Sequence, residues 1–528
     1  MKRIIPVTIL VIILISISSL IGDETKCSYV FQLHKQKKFS FLPKIDSFSL
    51  LAADDIRGST RTMQPNADYN FYIKRFPQIT KDLIQQFSFE KKDLYAFSLK
   101  IPPDLFLISK NKKDYSKTAQ EIAGMNATVW VFNRYIMKEA WTNISLKSIL
   151  SNLKSGFTWD IDKYLTNQLG HPYHGALHYS SARANKLNYF ESTICSFLGS
   201  VMWEFFLESE GTQYNRPSTN DLMMNTLGGM TLGELLFRTA DLVVDESSRG
   251  LERVLRESLA FLINPAYGFR AFTGKAFKIG NPPKKHYYSL RFPFGAYRSS
   301  LNNKPSFLIA ANLEYKDFLK KDLLKINPYD WFTLDCRLGF NNEGLRDKEI
   351  FTTGILTGKK LKNGLAGLFG IFDYIDTYAA DKISAVGVGP GLVTMSSSDS
   401  DLFFNSSGVL SLIMGGSSPS FDVEYSHFGK RVNDPYYLGP GILGRINLEL
   451  GKKNLGSIRT GFSQYWIHSI LSHANEFLGI LSCSLQCDLS RRSQISLGYD
   501  YYLRHATLQE QRFTGAKPIV RALYILKF

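Results

Sequence analysis

The chain ends on RALYILKF, residues 521–528. On a strand, side chains alternate between two faces, so Tyr524, Leu526 and Phe528 lie together and Phe528 is the last residue. The same alternation appears in GRINLEL (444–450), where Ile446, Leu448 and Leu450 take one face and Arg445, Asn447 and Glu449 the other. Working outward from these two stretches, the region after about residue 281 divides into segments of 10 to 14 residues separated by polar, Gly- or Pro-containing turns. Examples are SFLIAANLEYKD (306–317), WFTLDCRLGF (331–340), ISAVGVGPGLVTM (383–395) and ISLGYDYYLRH (495–505). About twelve such segments are expected.

A strand of roughly 9 to 11 residues crosses a bilayer when tilted. A membrane does not accept an open sheet edge, so such a sheet must close into a barrel with an apolar outer band and a tolerant interior. The final strand resembles the terminal strand of bacterial outer-membrane barrels. The turns read as short except near 415–435 and 506–516. GVGPG (387–391) falls within a segment, where its glycines serve curvature and not phosphate binding.

The opposite terminus sets the compartment. MKRIIPVTILVIILISISSLIG carries Lys2 and Arg3 ahead of the apolar run Ile4 to Ile21, the pattern of an export signal or of a retained anchor over residues 1–22. Residues 23–116 are assigned as a linker or small elements. The composition fits a folded, exported chain: 44% of the 528 residues are apolar, 13% are aromatic, and only 21% are charged. The net charge of +16 is spread thinly and lacks zinc-finger or basic-zipper spacing, so no nucleic-acid partner is expected. Attraction to an anionic lipid surface accounts for it equally well. Cys483 and Cys487 would share a strand face about 13 Å apart, too far for a disulfide. With five cysteines in all, this is no disulfide scaffold.

Between residues 117 and 280 the period changes to that of helices. Ile122, Met125, Val129, Phe132 and Ile136 recur at three- and four-residue steps. Further helices fit 142–155, 171–185, 190–209, 218–243 and 248–262, with a stop at Asn264-Pro265. PSTND (217–221) reads as a helix start, with Ser218 as N-cap and Asp221 as its capping-box partner.

Several stretches of this region carry a family resemblance: TWDIDKYLTNQLGHPYHGALHYSSARAN, GSVMWEFFLE, RPSTNDLMMNTLGGMTLGE, and DESSRGLERVLRE followed by NP. In this order they resemble the DUF3943 family, exported bacterial proteins of unknown function. The resemblance implies an outer-membrane barrel (281–528) preceded by a helical module (117–280). It assigns no catalytic role. Within these stretches the residues singled out are Trp159, Asp160, Asn167, Gly170 and Arg183 in the first and Trp203 in the second. The third contributes Asn220, Asp221, Gly229, Gly233 and Glu234. A structural or interaction network is expected of them.

The chemistry-bearing candidates are His171, His174 and His178, which fall within about 60° on a helix. Glu204 and Glu208 share a face of another helix. Imidazole with carboxylate suits zinc or iron. A divalent metal on His171, His174, His178 and Glu204 is therefore the one cofactor to look for, although no HExxH occurs. Glu191, Asp221 and Glu234 are further carboxylates, and Ser200 with His178 and Glu204 would be a triad if geometry allowed. The plainer reading is a tight polar cluster, with Gly170, Gly175, Gly228, Gly229 and Gly233 permitting close helix approach. Arg183, Arg238, Arg249, Arg253 and Arg256 would meet lipid phosphates, or pair with Glu252, Glu257 and Asp245.

Two functions follow. One is a non-enzymatic outer-membrane barrel for envelope structure or transport, its lumen plugged or its mouth capped by the helices. The other is an enzyme acting on lipid or lipid A through the His171–Glu204 region. Expected partners are outer-membrane lipids including lipopolysaccharide, the barrel-assembly machinery, and a periplasmic protein.

Overall fold

The computed structural model describes residues 113–159, 163–208, 216–245, 247–272, 288–299, 306–316, 326–342, 344–377, 381–395, 401–418, 436–470 and 472–528. The expected export segment, nearly all of the expected linker, and Asp160 lie outside the described residues.

Among the described residues, seven helices precede the sheet, counting each π-helical stretch with the helix it continues. They are α1 (115–137), α2 (Leu146–Ser155), α3 (166–184), α4 (189–207), α5 (219–243), α6 (Gly250–Ile263) and α7 (Pro265–Phe272). Short polar side chains start them. Ser145 and Ser148 form a capping box on α2, and Asn188 with Glu191 forms one on α4. Ser218 caps α5 as expected, accepting from the Asp221 amide. Its own amide donates to Glu204 Oε2 at 2.8 Å and not to Asp221, so the expected capping box is completed from another helix. Asn264 ends α6 and at once caps a further helix, its Oδ1 accepting from the Tyr267 amide at 3.0 Å. Pro265 therefore begins α7, a position where its missing N–H costs nothing.

Twelve antiparallel strands of 11 to 18 residues close into a barrel. They are β1 (Tyr288–Ser299), β2 (Ser306–Lys316), β3 (Trp331–Asn341), β4 (Gly344–Leu361), β5 (Gly364–Thr377), β6 (Asp381–Thr394), β7 (Leu402–Ser417), β8 (Tyr437–Lys452), β9 (Gly456–His468), β10 (Asn475–Ser490), β11 (Ser493–Leu508) and β12 (Gln511–Lys527). Each pairs with its sequence neighbours, and β12 returns to β1 with Phe294 opposite Tyr524 and Phe292 opposite Leu526. The closing segment RALYILKF thus forms the seam that removes the last sheet edge. Residues 506–516, expected as a long turn, are instead a hairpin in which Leu508 pairs with Gln511. β4, GLRDKEIFTTGILTGKKL, is irregular in sequence because charged residues cluster at its start and a bulge shifts its register at Ile355/Thr357.

The two faces of the barrel wall bury different things. On the inner face, Tyr297, Ile371, Ile375, Leu443, Tyr465 and Ile467 belong to one apolar cluster built only of strand residues. All six are buried, which a water-filled lumen would not permit. Polar bridges cross the same space. Tyr502 on β11 donates to Glu349 on β4 at 3.1 Å, and Arg445 on β8 is paired with Asp373 on β5. β11 and β4 lie nearly opposite in the strand order, so their contact spans the lumen. Towards the end that holds β1's start and β12's end, a cavity of about 420 Å³ remains, lined by Arg291, Asn312, Ser407, Asn447, Ser482 and Ser496 among others.

The helices occupy neither space. Their buried apolar residues, including Tyr164, Leu235 and Phe237, join a cluster with Leu313, Phe332, Leu334, Leu338, Phe372 and Val386. These strand residues have the opposite parity to the luminal ones, so they lie on the outer wall. Of the expected plug or cap, the plug is thus corrected: the helical module lies against the outside of β1–β7. Polar contacts fix it there. The Tyr164 hydroxyl donates to the Ile375 carbonyl at 3.0 Å, Ser384 Oγ donates to Gln168 Oε1 at 2.6 Å, and Arg238 bonds Asp330 at 3.2 Å. The physical reason is volume. Luminal side chains already meet across the barrel, whereas Gly370 and Gly416 leave recesses on the outer wall that receive Thr231 and Gln168.

Candidate functional site: the polar core of the helical module

α3, α4 and α5 pack around a buried seam of polar side chains. Their backbones approach closely because Gly175 lies against the Asn225 carbonyl and Gly228 against Pro172, where any Cβ would collide with backbone. Gly229 lies against Ser196, and Gly233 against Tyr179 with a Cβ-to-ring clearance of only 2.8 Å. These four expected close approaches are present. Gly170 is a correction: a Cβ there would meet nothing nearer than 3.7 Å, and the residue ends a π-helical stretch, Thr166–Gly170. Gly199 was not singled out in the sequence, yet it makes room for the His178 ring, whose Nδ1 lies 2.5 Å from where a Cβ would be.

The three histidines separate into a pair and a single residue. His174 Nε2 and His178 Nε2 lie 2.9 and 2.7 Å from Asn126 Oδ1, and Asn126 Nδ2 donates to the Gly199 carbonyl at 3.0 Å. That last bond orients the amide, so Oδ1 accepts from both imidazoles and each carries its proton on Nε2. Burial lowers His178 to about 4. Burial, followed by the nearby His178 and His171, also holds His174 well below its ordinary value. Burial thus favours the neutral form of both rings. The His174 ring also meets the Trp203 edge at 4.9 Å between centroids, and Trp203 packs on Trp141. His171 turns away to Asp221, with Nε2 3.4 Å from Oδ2.

Glu204, a carboxylate expected beside the histidines, has another partner: it accepts from the Ser218 amide at 2.8 Å. Glu208 enters the seam through its backbone carbonyl, which accepts from Asn152 Nδ2 at 2.9 Å. Ser200 Oγ accepts from Asn225 Nδ2 at 2.7 Å, so it belongs to the seam and not to a triad with His178. Among the described residues, no three His, Cys, Asp or Glu side chains converge as a metal cluster would. Asn126, the residue that joins the two imidazoles, carries no signal in the sequence beyond its place on the buried side of α1.

The densest charge cluster centres on Glu234, which has no exposed surface. Arg183 donates to both its carboxylate oxygens at 2.7 and 3.0 Å, Arg238 donates at 3.0 Å, and the Tyr179 hydroxyl at 2.8 Å. Burial alone would raise the Glu234 carboxyl, but Arg183 and Arg238 outweigh it and hold it below its ordinary value. Arg238 continues to Asp330, which anchors the Asn327 amide ahead of β3. Of the arginine pairings expected, Arg253–Glu257 and Arg256–Glu252 are present on α6, while Arg183 and Arg238 meet Glu234. Asn167 bonds Asn220 and Tyr436, while Trp159 packs partly buried against the module core. The seam holds an electrostatic core together and ties it to the barrel wall.

No curated protein matches the chain. Among solved structures it is similar to the NanC porin, with 8% identity over 45% of this chain and 98% of that one, at a TM-score of 0.26. It is similar too to the KdgM porin (8% identity, 46% and 99% covered, TM-score 0.21) and to OmpT of Vibrio cholerae (7% identity, 46% and 96% covered, TM-score 0.21). Scores this low carry nothing about what this barrel does. Residues 156–266 match the family model described as a domain of unknown function, DUF3943, and over that span the chain belongs to that family.

Proposed function

We propose that the protein is an outer-membrane barrel with a structural role in the envelope, closed to the passage of solutes and serving to hold the helical module. The observation that carries this reading is the shut lumen: buried Ile371, Ile375, Leu443 and Tyr465 fill it, and Tyr502–Glu349 bridges it from side to side. A 12-stranded barrel is wider than the roughly eight-stranded size that side chains fill readily, so large side chains and cross-lumen pairs are what close it. The wall contacts lipid, lipopolysaccharide included, and insertion depends on the barrel-assembly machinery. The histidine pair belongs to packing under this reading, and no cofactor is needed.

Conductance of the purified protein in planar bilayers tests it. The wild type is expected to give no ion-conducting steps, whereas Ile375→Gly with Leu443→Gly and Tyr465→Gly gives them. Stable ohmic steps from the wild type would overturn the structural reading in favour of transport.

A further inference from the structure

The helical module has the wrong surface for water. Every exposed position on α4 carries a large apolar side chain: Phe190, Ile194, Phe197, Leu198 and Phe206. The opposite side of the same helix buries Ser192, Ser196 and Ser200, spaced four apart, beside Gly199. Ser196 Oγ donates to the Gly175 carbonyl at 2.9 Å, and Ser200 accepts from Asn225. A helix in water puts its polar stripe outward and its apolar stripe inward. Here the two are reversed, with small and hydroxyl-bearing residues at the helix contact, as in helices packed within lipid. α6 repeats the arrangement only in part: Leu251, Val254, Leu255, Phe261 and Leu262 are exposed alongside Arg253, over a buried side that holds Arg256 and Glu257 together with Leu259, Ala260 and Ile263.

Position in the fold agrees with the surface. The module touches the barrel wall near one rim, where Tyr164 packs on Tyr374 at 5.4 Å between ring centroids. It touches the other rim through Arg238 and Asp330. Outward residues along the whole of β3, from Phe332 to Leu338, join its core. The module therefore shares the height of the strands it covers. The uncovered part of the wall, from the first half of β7 onward, exposes Leu410, Leu412, Ile446, Leu450, Leu485 and Leu497 on the same outer face. Helix surface and strand surface form one apolar belt. At the margin of that belt, α2 exposes Leu146, Leu150 and Leu153 together with Lys147 and Lys154, the composition of a helix lying at a lipid headgroup boundary. Among the described residues, no helix is long and apolar enough to cross a membrane alone. A helix polar on its inner side need not be, because the barrel and its neighbours satisfy that side.

We infer that the helical module is seated in the bilayer, flank to flank with the barrel, and that acyl chains cover the outer faces of α4 and α6. Lipid is the occupant because the apolar belt runs unbroken in kind from β7–β12 onto these helices. The inference rests on the strands crossing the membrane, and its test separates the two claims.

The wild-type protein is reconstituted in phosphatidylcholine–phosphatidylglycerol vesicles in which some acyl chains carry a diazirine. It is then photolysed, and labelled peptides are mapped by mass spectrometry; a water-soluble diazirine serves as the opposite probe. The expected result is acyl-chain label in 190–198 and 251–262 within about twofold of that in 495–503, with little aqueous label in either. Label in 495–503 but none in 190–198 and 251–262 overturns the inference and leaves the barrel intact. If the aqueous probe labels the helices, water covers them; if neither probe does, a protein or a second copy covers them. Either outcome overturns the inference. Absence of acyl-chain label from 495–503 as well would instead sink the membrane-spanning barrel itself.

Discussion

Glu234 shows how much one side chain can hold in place. It neutralises Arg183 and Arg238 from a site without exposed surface, and through Arg238 it reaches the barrel at Asp330. Removing one partner of a buried ion pair strands the other charge, at a cost of about 3–5 kcal/mol. Glu234→Ala is expected to lose stability of that order, read as an earlier urea midpoint for protease resistance of the module. Glu234→Gln keeps hydrogen-bonding capacity and falls between. A midpoint unchanged in both variants would show that the two arginines find water or other partners. Glu234 was visible in the sequence as a residue of the family-like stretch. Its partners were not, because Arg183 lies 51 residues away and nothing in spacing along a chain encodes a contact between helices. The same holds for Asn126, whose single amide unites two imidazoles that helical spacing had already brought together. The His174–His178 adjacency was legible for a physical reason: residues four apart on a helix share a face. The carboxylate expected beside them was not there, since Glu204 is held by the Ser218 amide.

At the scale of elements, the α3–α5 crossing depends on absent side chains. Gly175 and Gly228 let each backbone lie in the other's groove. Overpacking a well-filled contact costs typically 1–3 kcal/mol, and here the obstacle is backbone, which cannot step aside as a flexible side chain would. Gly175→Val is therefore expected to open the module to trypsin while the barrel still migrates as a heat-modifiable band on a gel. A control, Gly124→Val, faces open space on α1 and should leave the protease pattern nearly unchanged. Equal sensitivity of the two variants would mean that the close crossing is unimportant. Glycines at helical spacing marked this contact in the sequence, and four of the five expected positions are close approaches. Gly170 is the exception, because it sits where α3 passes from a π-helical stretch into its α-helical part. π-helical stretches also occur in α1, α4 and α5, and no residue pattern in the sequence announces them. Element boundaries otherwise follow the apolar periods closely, since those periods are a direct consequence of which face is buried.

The arrangement of the whole molecule separates an outer-wall module from a plug. Thr231 on α5 lies against Gly370 on the outer wall, its Cγ2 3.2 Å from where a Cβ would stand. Thr231→Cys with Gly370→Cys is expected to cross-link on mild oxidation, seen as a shift in mobility that a reductant reverses. Thr231→Cys with Ile371→Cys should not cross-link, because Ile371 points into the lumen. Cross-linking only in the second pair would place the helices inside.

By itself the sequence determined the kind of elements and their order: helices at a 3.6-residue period, then strands alternating down to a terminal aromatic. Alternation decides that a strand has an apolar face, and a closed count of strands follows from the need to pair every edge. It does not decide which polar groups meet, nor which side of the wall an apolar helix seeks. Both faces of β2–β6 are largely buried, one by luminal side chains and one by helices, and only packing in three dimensions assigned each to its cover. Side chains reaching across the lumen fill it, and the helices lie on the outer wall, where recesses at Gly370 and Gly416 receive them. Local periodicity is a one-residue-at-a-time property of the chain, whereas occupancy of a shared volume is settled only when distant segments compete for it.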